Sequence, residues 1–157
     1  MSTATEHDQE TETSNSSWIA GLVGGISGSV IMGAAVLAMN TPTLAVAIPS
    51  LYGLAPPPNP VVGLGVHLVH GAVLGVVFAG IVGALALDSP GRVVGAGLAW
   101  GAATWVLLAA LVMPVWLGIV GSPASPPFPN FAVPSLLWHL IYGLVLGGVY
   151  LGVESRL

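Results

Sequence analysis

The sequence predicts an all-α integral membrane protein, a four-helix bundle made of two parallel helical-hairpin repeats. Three observations carry this. Of the 157 residues 55% are hydrophobic and only 5% charged, with a mean hydropathy of +0.93, well outside the composition of soluble domains. Four apolar segments are each long enough to cross a hydrocarbon core of about 30 Å, which takes about 20 helical residues. The second of these segments recurs as the fourth, 72 residues later.

In chain order, residues 1–17 (MSTATEHDQETETSNSS) hold Glu6, Asp8, Glu10 and Glu12 and almost nothing apolar. They cannot bury enough surface to offset the entropy of ordering and are expected to form a disordered acidic tail. The start is acidic rather than basic, unlike a secretory signal, so the tail is expected to be retained. Residues 18–157 form the transmembrane domain. Its first helix is expected over residues 18–39, with Ser17 as N-cap and Trp18 as interfacial anchor. The second is expected over residues 61–87, with Pro60 in the first turn, where a missing N–H costs nothing. The short DSPGR turn leads into a third helix over residues 93–113, which Pro114 ends or kinks. The fourth spans residues 133–153 and carries Pro134 in its first turn. Residues 40–60 and 114–132 are long, uncharged and proline-rich, and both lie on one side of the membrane. A re-entrant stretch around residues 45–54 is compatible with this pattern.

Both arginines, Arg92 and Arg156, fall on the opposite side, together with the acidic tail and the C-terminus. Positive residues mark the cytoplasmic face, so both termini are expected to be cytoplasmic in a multi-pass protein of the plasma membrane.

Sliding HLVHGAVLGVVFAGI (67–81) onto HLIYGLVLGGVYLGV (139–153) gives eight identities in fifteen, His67 on His139 and Gly71 on Gly143 among them. An unrelated pair of such Gly-, Val- and Leu-rich segments would share about two. A two-helix repeat returns the chain to its starting side, so the copies should be related by a pseudo-twofold axis along the membrane normal. Small-xxx-small spacings run through all four helices, as in Gly24/Gly28, Gly71/Gly75, Gly97/Gly101 and Gly143/Gly147, and are read as helix-packing positions.

Composition also excludes functions. The chain has no cysteine and no lysine, so disulfides, thiolate metal sites and thiol nucleophiles are absent, as is a basic footprint for nucleic acid. No carboxylate is placed to orient a histidine beside a serine, and no enzymatic activity is expected. The expected surroundings are the lipid bilayer and further copies of the chain or other membrane proteins.

The chemistry that remains lies in His67, His70, His139 and Tyr142, the candidate ligand-binding residues. Neutral imidazoles can simply hydrogen-bond across helices, each bond contributing about 0.6 kcal/mol in a bilayer. Ionisable groups inside a membrane also mark ligand sites and pathways. The alternatives are a small haem- or quinone-binding redox bundle, with histidines facing each other across it, and a channel or transporter subunit. Haem is disfavoured because both arginines lie on the far face. No metal is expected at His67, His70 and His139, since no carboxylate supports them.

The His-containing second helix (LVHGAVLG), Met113-Pro114 and the closing HLIYGLVLG resemble a family of small, uncharacterised haloarchaeal membrane proteins, distantly similar to the YagU-type inner-membrane proteins of bacteria. The resemblance covers residues 18–153. It implies the four-helix membrane architecture and no established activity or catalytic residues.

Overall fold

The computed structural model describes residues 3–157, with side chains from residue 17 onward. Four long helices make up the molecule: α1 (Thr3–Met39), α2 (Pro60–Ala84), α3 (Pro90–Ile119) and α4 (Val133–Glu154). Each contains an apolar window long enough to span a bilayer, and in α1 that window lies within Ser17–Met39. Such helices satisfy every backbone group internally, which hydrocarbon demands. Together they mark a membrane-embedded protein.

The helix ends follow from local chemistry. Asn59 Oδ1 accepts from the Val62 N–H at 3.0 Å and caps α2, with Pro60 in the first turn. Pro134 occupies the same place in α4. The backbone of α1 is helical from Thr3, so Ser17 lies within the helix rather than at its N-cap. Side chains of residues 1–16 lie outside the described residues; the backbone of residues 3–16, expected as a disordered tail, is described as the start of α1.

Two other expectations change. Pro114 neither ends nor breaks α3, which runs on to Ile119. The reason is local: Trp105–Val112 is π-helical, and the Met113 N–H bonds to Leu108 O. The ladder has already left the i→i−4 pattern where the proline withholds its N–H. The connection after α1 is also not irregular throughout. Thr43–Ala47 forms a π-helical turn and Ile48–Ser50 a short α turn, with Leu44, Ile48, Pro49 and Ser50 buried. This inner turn lies against α2 so closely that a Cβ at Gly63 would overlap the Leu44 carbonyl oxygen. The Asn59 N–H bonds to Ala45 O at 2.7 Å.

Packing between helices is made by glycine. A Cβ on Gly25 would run into the Gly71 carbonyl, and one on Gly75 into that of Gly21. In the second hairpin, Gly97 meets Gly143 and Gly101 meets the His139 carbonyl. The register is shared: Gly25 lies against Gly71 and Gly75, and Gly97, 72 positions on, lies against Gly143 and Gly147. Across the hairpins, Leu146 and Tyr142 of α4 lie over Gly24 and Gly28 of α1.

A strict twofold would bring α2 against α3 as closely as α4 lies against α1. It does not hold there: α1 packs on both α2 and α4, α3 packs on α4, and α2 and α3 scarcely touch. The residue 72 positions after Gly28 is Trp100, and an indole bars the approach that a glycine permits. Among the described residues, α2 and α3 leave a gap, and α3 carries Trp100 at the position that corresponds by this offset to Gly28 of α1.

Candidate functional site

The space left between α2 and α3 continues inward as a cavity of about 1010 Å³. All four helices and both proline-rich segments contribute to its wall, and so do both π-helical stretches, through Thr43 and Ala47 in one and Leu108, Ala109 and Val112 in the other. A π-helical turn widens the helix and displaces its side chains, and such turns recur at functional sites.

The outer end is closed by contacts between the two proline-rich segments. Trp116 Nε1 donates to Leu51 O at 3.0 Å, and Ser122 Oγ donates to Ser50 Oγ at 3.0 Å. These serines lie 72 positions apart. Helix ends at Gly53 and Gly121, both left-handed with φ of +67° and +68°, turn the chain at each side of this closure. Laterally the cavity opens between α2 and α3, where Val69, Val73, Leu108 and Val112 line it and are also exposed on the outer surface. This rim is apolar and lies within the apolar spans of α2 and α3.

His67, His70, His139 and Tyr142 all line this one cavity. His67 is buried, and its Nε2–H donates to Ser29 O on α1 at 3.1 Å. His139 donates through Nδ1–H to Ser135 O, one turn back on its own helix, at 2.7 Å. Tyr142, also buried, donates from Oη to Gly71 O at 2.9 Å, a bond that ties α4 to α2 across the molecule. His70 sits nearer the surface with Nε2 at 2.6 Å from Tyr52 Oη.

Sequence reasoning missed other lining groups: Tyr52 and Ser29, together with Thr104 and the aromatic walls Trp116 and Trp138. Ser29 was legible as the polar residue at the register of Gly71, where its Oγ and Cβ fill the space a Cβ there would need. Tyr52 gave no such signal, because the inner turn that delivers it reads as a loop.

Among the described residues no acidic or basic side chain other than histidine lines the cavity. Among the described residues no group of three or more His, Asp or Glu side chains is arranged to hold a metal ion. The arrangement can bind a neutral molecule through hydrogen bonds and apolar contact; a charged occupant would face no countercharge.

A family of unknown function, DUF6789, matches residues 12–156. No curated protein matches the chain, and no solved structure does.

Proposed function

The chain belongs to this family, and from the cavity we infer that it is a non-enzymatic binding protein for a neutral, largely apolar molecule taken from the bilayer. One observation carries this reading: the four polar residues placed at helical depth by two different segments all open into one large cavity with an apolar side entrance. Pockets of several hundred Å³ with apolar walls and a few convergent polar groups are the usual form of small-molecule sites. A purely structural role for the histidines would be expected to leave them against neighbouring helices, with the space between filled.

The architecture behind the reading is a duplicated hairpin. It is supported by the shared offset of 72 in the histidines, in the glycine contacts and in the Ser50–Ser122 pair. The reading places the protein in the plasma membrane with both termini cytoplasmic, on the strength of Arg92 and Arg156. Haem is the weaker alternative, because no arginine or lysine among the described residues lines the cavity to meet its propionates.

The test is a cavity-filling substitution. Ala109 lines the cavity from the π-helical stretch, and Ala109→Trp would occupy it. Organic extraction and mass spectrometry of the protein purified from membranes should find an apolar molecule at near one per chain, and little or none in Ala109→Trp. Equal content in the two proteins would refute the reading.

A further inference from the structure

The hydrogen-bond partners of His67 and His139 decide which nitrogen each offers to an occupant. A carbonyl oxygen has no hydrogen, so the ring nitrogen facing it must be the N–H. His67 therefore carries its hydrogen on Nε2, against Ser29 O, and His139 carries its own on Nδ1, against Ser135 O. A neutral imidazole has one ring hydrogen. His67 Nδ1 and His139 Nε2 are consequently bare lone pairs, and among the described residues neither has a hydrogen-bond partner.

Neither nitrogen is sealed off. Among the described residues, the buried side-chain nitrogens without a partner are only the indoles of Trp100 and Trp105. The two free imidazole nitrogens thus keep accessible surface, and both side chains line the cavity. Of the hydroxyls that line the cavity, Tyr142 donates to Gly71 O, Ser29 to Gly25 O and Thr104 to Trp100 O, while the Ser135 hydroxyl lies one turn before His139. At His67 and His139 the inner cavity therefore offers two acceptors, supplied from equivalent places in the two hairpins.

An occupant that satisfies it has two O–H donors, no charge, and a body able to lie against the rings of Tyr142 and Trp138. It also has an apolar tail that can leave through the Val69, Val73, Leu108 and Val112 rim. We propose that the cavity binds a lipid hydroquinone, one hydroxyl donating to His67 Nδ1 and the other to His139 Nε2, in preference to the oxidised quinone. This rests on the binding-protein reading above. The preference has a simple cause: the quinone's two carbonyl oxygens are acceptors, and would set lone pairs against lone pairs while leaving both imidazoles unpaired.

The full chain in detergent is titrated by native mass spectrometry with three probes: a decyl-substituted benzoquinol under anaerobic reducing conditions, the matching benzoquinone, and the quinol's dimethyl ether. The quinol should bind about tenfold or more tightly than either other probe, the difference expected from two lost hydrogen bonds. In His67→Phe and in His139→Phe its affinity should fall towards that of the quinone, while quinone and ether affinities stay near their original values and report that the cavity is intact. Quinone binding as tightly as quinol, or histidine variants that keep the preference, would overturn the acceptor pair and leave the cavity as a binding site. Failure of all three probes to bind would overturn the hydroquinone proposal, while the extraction experiment with Ala109→Trp decides the binding-protein reading by itself.

Discussion

At the scale of single residues, glycine does two opposite things in this protein, and the structure says which is which. Gly25 sits where a Cβ would overlap the Gly71 carbonyl and press on Gly75 Cα at 2.9 Å, and backbone cannot yield as a flexible side chain can. Gly25→Ala should therefore push α1 and α2 apart and cost about 1–3 kcal/mol. Gly148, on α4, has nothing within 4 Å of an added Cβ. There the substitution removes only a flexible residue, and Gly148→Ala should raise stability by about 0.5–1 kcal/mol. Unfolding midpoints in detergent would separate the two, and a loss of stability in both would show that helix packing does not govern the difference. The sequence marks both positions identically, as glycines in small-xxx-small runs. The difference lies in the neighbour across the interface, which is a tertiary fact.

At the scale of elements, the inner turn between α1 and α2 is the part that periodicity could not reveal. Residues 43–50 are too short to read as a helix and are punctuated by Pro42 and Pro49, yet Leu44 is 0% exposed while Leu54, a few residues on, is 50% exposed. The element is held by the absence of a side chain at Gly63 and by the Asn59–Ala45 backbone bond, both contributed from outside it. Since the chain has no cysteine, single cysteines report accessibility without background. Leu54→Cys should react with a water-soluble maleimide in intact vesicles at the accessible side, and Leu44→Cys should not. Comparable labelling of both would show that the inner turn does not lie against α2. The π-helical part of α3 escaped in the same way. Its sequence, WVLLAALV, is unremarkable for a helix, and its widened geometry is met by contacts such as the Asn130 N–H on Ala110 O at 2.9 Å.

At the scale of the whole molecule, four spanning helices return the chain to the side where it began, so Ser155 and Leu54 should be labelled from opposite faces once each is replaced by cysteine. With both arginines on the side of Ser155, the cytoplasmic face should be the one that labels Ser155→Cys. Labelling of both from one face would refute the four-span topology. The membrane location, the four spans and the candidate residues His67, His70, His139 and Tyr142 were legible in the sequence. Hydropathy over about 20 residues is a local property, and bilayer solvation acts on each segment by itself. The repeat already set His67 and His139 at one depth as neighbours; whether the space they share stays open was not legible, because it depends on how the two hairpins lean. Gly24 and Gly28 let α4 close on α1, Trp100 stands where the second hairpin would need a glycine, and α2 and α3 stay apart. The sequence by itself determined the solvent and the helices. Only the tertiary structure decided that one side of the bundle remains open, since helix association in lipid has no hydrophobic drive and is settled by which backbones can approach.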